Sequence, residues 1–280
     1  MIIFDFNHIA IANLMEQIGS SKTPVEEGLV RHMVLNSIRN NVKKFREYGE
    51  VIIACDNKHY WRREVFPNYK ANRKKARESS GHDWTSIFEC LNKVREELKK
   101  YSPYKVIDVD GAEADDIIGV LARKYAAHEK VLIISSDKDF VQLQSLSNVE
   151  QYSPTLKKFI RSDNPKSQLK ELIITGDKGD GIPNILSSDN CIVEGVRQKS
   201  ITKIRLEEMM NKNLSVDGSE EVKRNWSRNQ VLIDLTFIPE KVATGVISRY
   251  EEVKPATKQQ FMNYMITNRL KNLLEVIDEF

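Results

Sequence analysis

The sequence predicts an α/β protein: a doubly wound, mainly parallel sheet with a basic helical arch and a helical C-terminal region. Three observations lead there. Four short runs rich in β-branched residues lie at 2–4, 51–55, 106–109 and 131–134, amphipathic helical patterns separate them, and strand-like runs stop after about residue 180. Compact apolar runs suit strands buried on both faces, and strands alternating with helices join in parallel.

The elements follow in order. The first run ends at Asp5. The long connection to the second opens a helix at Thr23-Pro24-Val25-Glu26, a capping box with proline at the first helical position. Its apolar face reads Leu29, Met33, Leu35, Ile38, Val42 and Phe45. The second run ends at Asp56, and a basic stretch separates it from a helix carrying Trp84, Ile87, Phe88, Leu91, Val94 and Leu98 at helical spacing. After the third run a helix starts near Glu113 and continues through Ile117, Ile118, Leu121 and Tyr125. The fourth run leads to Asp137-Lys138-Asp139, and a further apolar run at 172–175 precedes Asp177-Lys178-Gly179-Asp180. Helical patterns occupy 201–210, 220–232, 239–250 and 258–274. The expected organisation is a sheet domain over 1–180, with the arch at 57–83, and a helical region over 181–280.

With 280 residues, 40% of them hydrophobic, the chain can bury a sizeable core. The net charge of +3 says little, but its distribution is uneven. Between Lys58 and Arg77 there are eight Lys or Arg and one acid, Glu64, so the remainder is net negative. Such asymmetry suits a protein that presents a basic element to a polyanion. Cys55, Cys90 and Cys191 form neither a disulfide framework nor a zinc pattern. The first apolar run stops at Asp5 and no stretch reaches membrane-spanning length, so a cytoplasmic, membrane-free monomer is expected.

The informative observation is where the acids fall. Asp5 and Asp56 end the first two runs, Glu113, Asp115 and Asp116 follow the third, and Asp137 and Asp139 follow the fourth. Asp177 and Asp180 complete a set of nine. In an open parallel sheet the ligand crevice lies beyond the carboxyl ends of the strands. Each acid alone is as well explained as a helix cap or a first-turn answer to the helix dipole. Together they repel: two unit charges ~4 Å apart cost roughly 1 kcal/mol in water and roughly 4 at an effective dielectric of 20. A cleft of this kind calls for cations or protons. The donors are oxygens, and the five histidines are scattered, which suits two Mg²⁺ ions, with Mn²⁺ able to substitute, rather than zinc.

The basic stretch interleaves aromatics and cations: Tyr60-Trp61-Arg62-Arg63, Phe66, Tyr69-Lys70, Arg73-Lys74-Lys75 and Arg77. Cations hold phosphates and aromatic faces stack on unpaired bases. A solvated helix face is the plainer account of the same run.

These motifs, with Phe4-Asp5-Phe6, Cys55-Asp56-Asn57, Glu113-Ala114-Asp115-Asp116, Ser135-Ser136-Asp137-Lys138-Asp139 and Gly176-Asp177-Lys178-Gly179-Asp180, resemble the flap endonuclease/5′-nuclease superfamily, and within it the RNase H group of T-even phages. The resemblance covers nearly the whole chain. It implies a 5′→3′ exonuclease and flap endonuclease acting on branched or nicked DNA and on RNA–DNA hybrids, with primer removal in lagging-strand replication as its task. It assigns the nine acids to two metals and makes Asp116 catalytic. It makes Lys70 and Arg73 the arch cations at the scissile phosphate, and Tyr69 an aromatic that stacks near it. Arg62, Arg63, Lys75 and Arg77 join them as nucleic-acid contacts. The family's glycine-rich duplex-binding motif is absent from 181–190, where Lys199, Lys203 and Arg205 are the candidate substitutes. The chain begins almost on its first strand, so no N-terminal tail is expected for docking a clamp. A single-stranded-DNA-binding protein is a partner by resemblance. A PIN-type endoribonuclease and a non-catalytic nucleic-acid-binding protein are the alternatives.

Overall fold

In the computed structural model, which describes residues 1–18 and 25–280, six strands form one sheet. They are β1 (Ile2–Asp5), β2 (Val51–Ala54), β3 (Lys105–Ile107), β4 (Val131–Ile134), β5 (Val149–Ser153) and β6 (Lys158–Ile160), in the order β3-β2-β1-β4-β5-β6. All neighbours are parallel except β5 and β6. Strand order reverses at β1, which is flanked by β2 and β4. That is the point where connections leave in opposite directions and open a crevice at the strands' carboxyl ends.

The first four strands match the expected runs, with ends moved by at most two residues. β5 and β6 were not foreseen, and the reason is chemical. β5 carries Glu150, Gln151 and Ser153 where a buried parallel strand usually carries aliphatics. Gln151 is fully buried, and its Nε2 donates to Ser135 O at 3.0 Å and Asp137 O at 2.6 Å. A polar side chain satisfied by its neighbours hides the strand from a hydrophobicity reading. The run at 172–175 is the last turn of a helix, Pro165–Thr175, which ends at Gly176 with φ 69°. Asp180 therefore reaches the crevice on a helix-to-loop turn that begins with Asp177.

The helix of the first connection spans Glu27–Lys44 with Glu26 at its N-cap; Thr23 and Pro24 of the expected capping box lie outside the described residues. It buries Val30, Met33, Val34, Leu35, Ile38 and Val42, whereas Leu29 is 40% exposed. Of the expected stripe Met33, Leu35, Ile38, Val42 and Phe45 are thus buried, and Leu29 alone falls outside, with Val30 taking the inward position beside it. The helices Trp84–Tyr101 and Ala114–Tyr125 form as expected.

Helices Lys203–Met210, Glu220–Ile233, Glu240–Glu252 and Lys258–Thr267 make up most of the C-terminal region. It packs on both faces of the sheet rather than standing apart. Val242, Val246 and Tyr250 share a core with Ile117 and Leu121. Phe261, Tyr264, Met265 and Leu273 share the opposite core with Leu35, Ile38 and Leu98. Each such side chain stabilises by about 1.5–3 kcal/mol on burial, so the region after Asp180 helps hold the sheet that carries the site. Among the described residues, no helix is long and apolar enough to cross a membrane.

Candidate active site

The crevice is built from the strand ends upward. Asp5 closes β1, where its carboxylate accepts from Ser135 Oγ and His8 N, each at 3.1 Å. Burial pushes its carboxyl up to about 7, with Asp56 and Asp137 adding to the shift. Asp56 follows β2 and accepts from Asn7 Nδ2 at 2.6 Å and from Ala114 N at 2.8 Å. The second bond seats an anion on the N-terminus of the Ala114–Tyr125 helix, where the helix dipole favours it. Asp115, in the first turn of that helix, is raised well above the usual carboxylate range by burial, and Asp137, Glu113 and Asp5 add to this against the pull of Lys70.

Asp5, Asp56, Asp115, Asp137 and Asp180 line one cavity of about 310 Å³, together with Lys70, Arg73 and Arg77. A second cavity of about 540 Å³ adjoins it, sharing Asp56, Lys70, Arg73 and Arg77 and adding Tyr60, Arg63 and Lys74. Carboxylates from separate segments and arch cations thus face one space.

The remaining acids divide. Asp177 Oδ1 accepts from Gly179 N at 2.7 Å, and its Oδ2 pairs with Lys138 Nζ at 2.9 Å. Asp139 has a buried Oδ1 without a hydrogen-bond partner, and burial together with Asp137, Asp177 and Asp180 holds its carboxyl well above the usual range. Glu113 and Asp116 form a capping box on the Ala114–Tyr125 helix. Asp116 is fully buried, and its Oδ2 accepts from Glu113 N at 2.9 Å and Trp61 Nε1 at 3.2 Å. It faces the interior rather than the cavity. For Asp116 the capping account describes the geometry; Glu113 is a cap as well, but it also lines the second cavity and pairs with Lys70.

Arg62 explains why they tolerate burial. It is 2% exposed; its Nη1 lies 3.0 Å from Glu113 Oε2 and 2.9 Å from Asp116 Oδ1, and its Nε donates to Leu232 O at 2.9 Å. Buried charge of this kind stands only when paired and hydrogen-bonded. Arg62 is therefore not placed to touch nucleic acid, which corrects the expectation for it. The same holds for Tyr69: at 2% exposure its hydroxyl contacts Glu113 at 3.1 Å and Asp180 at 3.0 Å, so its ring cannot meet a base.

Nor is the arch one continuous helix. Arg62–Val65 and Asn72–Ser80 are helical, and the chain between them turns through Lys70 at φ 57°. Lys70 and Arg73 nevertheless converge. Lys70 Nζ pairs with Glu113 and lies 3.6 Å from Asp180 Oδ2, while Arg73 pairs with Asp180 Oδ1. Burial opposes the charged form of Asp180, but Lys70 and Arg73 prevail and hold its carboxyl below the usual range. Lys70 N also donates to Asp180 O at 2.7 Å, tying the arch base to the loop after Gly176. Arg63 and Lys75 are exposed and Arg77 is half-buried. Lys199, Lys203 and Arg205 are exposed but line neither cavity.

Residues missed in the sequence are Asn7, His8, Ser135 and Arg95. Arg95 Nη1 donates to Asp56 O at 3.1 Å, and Ser136 N donates to His8 Nε2 at 3.2 Å. Asn7 and His8 lie two and three residues after Asp5, and that proximity was the available signal.

The donor set fits a hard divalent cation: oxygen ligands, raised carboxyls at Asp5 and Asp115, and an orphaned Asp139 oxygen. Among the described residues no three Asp, Glu, His or Cys side chains are already drawn into a closed ligand cluster.

The family model for the 5′-3′ exonuclease N-terminal resolvase-like domain matches residues 15–172, and that for the T4 RNase H C-terminal domain matches 164–280. The chain belongs to the 5′-3′ exonuclease family. It is 36% identical to the ribonuclease H of Enterobacteria phage T4, over 99% of this chain and 95% of that one, and it is a nuclease of the 5′-3′ exonuclease and flap endonuclease class. The fold is that of T5 5′-exonuclease, solved with divalent metal ions (zinc): the TM-score is 0.63 and the identity 18%, covering 91% of this chain and 99% of that one. A T5 flap endonuclease pseudo-enzyme–product complex with DNA and metal ions gives a TM-score of 0.62 at 19% identity, covering 89% and 97%.

Proposed function

We propose that this nuclease hydrolyses phosphodiester bonds near 5′ ends in flaps, in nicked DNA and in the RNA strand of RNA–DNA hybrids, using two Mg²⁺ ions. One observation carries the reading: carboxylates from separate segments share a cavity with Lys70, Arg73 and Arg77. Acids without cations would suit a metal store, and cations without acids a binding protein; the combination suits phosphoryl chemistry.

In this reading Asp5, Asp56, Asp115 and Asp137 hold one ion, and Asp139, Asp177 and Asp180 the other. Such ions supply water activation at neutral pH and neutralise phosphate charge. Asn7 and Ser135 orient Asp56 and Asp5 through their hydrogen bonds. Glu113 and Asp116, paired with Arg62, hold the helix that carries Asp115. Lys70 stays protonated, because the carboxylates of Asp180 and Glu113 outweigh its burial. It and Arg73 then transfer their contacts from carboxylate to phosphate and offset charge that develops there. Arg63, Lys74 and Lys75 hold neighbouring phosphates, and Lys199, Lys203 and Arg205 hold more distant duplex. Cutting RNA from a hybrid suits primer removal on the lagging strand, where a single-stranded-DNA-binding protein is the natural partner.

The test uses end-labelled flap, nicked-duplex and RNA–DNA hybrid substrates with Mg²⁺, with Mn²⁺ and with EDTA. Short 5′-derived products in Mg²⁺ and none in EDTA are expected. Cleavage that persists in EDTA would remove the metal assignment.

A further inference from the structure

We infer that Lys138 is a built-in competitor for the second metal ion: its ammonium holds Asp177 in the metal-free protein and withdraws to Glu171 when the ion binds. This rests on the two-metal reading of the cleft and says what the chain must release to fill it. Lys138 stands between two of the proposed ligands, Asp137 and Asp139, at the start of the 3-10 helix Lys138–Ser145. Its side chain crosses to a third, Asp177, with Nζ 2.9 Å from Oδ2. The other oxygen of Asp177 accepts from Gly179 N at 2.7 Å and Asp180 N at 3.2 Å. Both oxygens are thus engaged. The ammonium is the partner that can leave without opening the loop, because a lysine stem swings freely and the other two donors are backbone. Burial disfavours the charge of Lys138, yet Asp177, and then Asp139 and Asp137, outweigh it. One cation already answers the acids assigned to the second ion.

A role on substrate does not fit this lysine, which borders neither cavity of the cleft, where Lys70, Arg73 and Arg77 are placed. A plain tie between two loops fits poorly too. The Lys138 side chain is 61% exposed, and ion pairs so open to water contribute little stability. Its position does offer a second berth. Lys138 and Asp139 border a separate cavity of about 300 Å³ together with Glu171 and Thr175, from the helix that ends at Gly176. Glu171 is exposed, and among the described residues no cation pairs with its carboxylate. Asp139 adds the reason for the exchange. Its buried Oδ1 has no hydrogen-bond partner, so an oxygen remains that the ammonium does not satisfy. A divalent ion carries twice the charge of the ammonium and attracts the same carboxylates twice as strongly at equal distance.

The test is calorimetric titration of Mn²⁺ into the protein without nucleic acid. Wild type is expected to bind two ions of unequal affinity. Lys138→Met should tighten the weaker site by roughly 3- to 20-fold, the scale on which an ammonium a few ångström away repels a divalent ion in water, and change the tighter site much less. Lys138→Arg keeps the charge and should stay near wild type. Glu171→Gln removes the berth and should weaken the same site by roughly 1.5- to 5-fold, the scale of one exposed ion pair. A weaker site left unchanged or loosened in Lys138→Met overturns the competitor, and a loosened one makes Lys138 a structural tie. Unchanged binding in Glu171→Gln overturns the withdrawal to Glu171. Cleavage of a 5′-flap substrate in Mg²⁺ is read separately. Two bound ions and cleavage with no shift in Lys138→Met remove the competitor alone. A shift without cleavage keeps the competitor and removes the nuclease reading, and a wild type that binds no second ion removes both the competitor and the two-metal reading.

Discussion

At the scale of single residues, burial decides which charged groups act on substrate and which hold the fold. Arg62 and Arg63 are adjacent in sequence, yet one is sealed against Glu113 and Asp116 and the other is exposed. Arg62→Met should cost about 3–5 kcal/mol in urea unfolding, because it strands two buried carboxylates. Arg63→Ala should leave stability nearly unchanged and reduce the salt slope of DNA binding by about one counterion. The reverse pattern would return Arg62 to the nucleic-acid interface. Asp116→Asn should likewise lower stability, whereas Asp115→Asn should abolish cleavage in a protein that melts at least as high without metal, since one repelling charge is gone. For Lys70→Ala, single-turnover cleavage at saturating substrate should fall by roughly 10²-fold or more, the scale of losing one transition-state donor. Affinity measured in Ca²⁺ should change much less. Unchanged cleavage at saturation would reduce Lys70 to an ordinary phosphate contact.

At the scale of elements, the arch and the loop after the Pro165–Thr175 helix behave as one device. Lys70 N bonds Asp180 O, and Gly181, at φ 73°, lies against the arch base. A Cβ on Gly181 would sit 2.8 Å from Asn68 O and 3.3 Å from Lys70 N. Backbone cannot swing aside as a flexible side chain can, and left-handed backbone costs a β-carbon about 1–2 kcal/mol by itself. Gly181→Ala should therefore lower the melting temperature by several degrees. It should also reduce cleavage beyond what the stability loss explains, by moving Lys70 off Asp180. A variant with wild-type turnover and a wild-type melting point would show that the arch base has room to move.

At the scale of the molecule, the crowded carboxylates tie stability to pH and metal. The folded-state carboxyl of Asp5 is raised to about 7, and Asp115 and Asp139 are raised in the same direction. A folded group that keeps its proton after the unfolded one has ionised stabilises the fold at low pH. That advantage is lost between the unfolded value near 4 and the folded value, at about 1.4 kcal/mol per pH unit per group. Metal-free protein should thus melt at progressively lower temperature from about pH 5 to pH 8; the lowered Asp180 is ionised in both states there and acts, with the opposite sign, only as pH falls below about 4. Mg²⁺ should restore the loss by mass action, about 2.7 kcal/mol at a hundred times its dissociation constant. Restoration should be largest at pH 8, where the ion displaces fewest protons. A melting temperature indifferent to both would mean that the carboxylates do not share one field.

The sequence by itself determined the α/β class, the first four strands, the positions of the acids at strand ends, and the basic segment between the second and third. Those features are local: a compact apolar run, a cap residue or a charge cluster is legible wherever it occurs. It also carried the family, because the order of the acidic motifs survives without coordinates. Tertiary structure alone decided which members of each motif reach the cleft. Glu113, Asp115 and Asp116 look alike in sequence, but the helix N-terminus turns Asp115 toward the cavity and Asp116 inward, where Arg62 and Trp61 wait from another segment. Phe88 and Leu91 fit one helical stripe until neighbouring elements cover one and leave the other on the cleft wall. β5 was hidden because Gln151 finds its partners in the loop after β4. The common reason is that burial and pairing depend on residues distant in the chain, and those contacts exist only once the sheet has assembled.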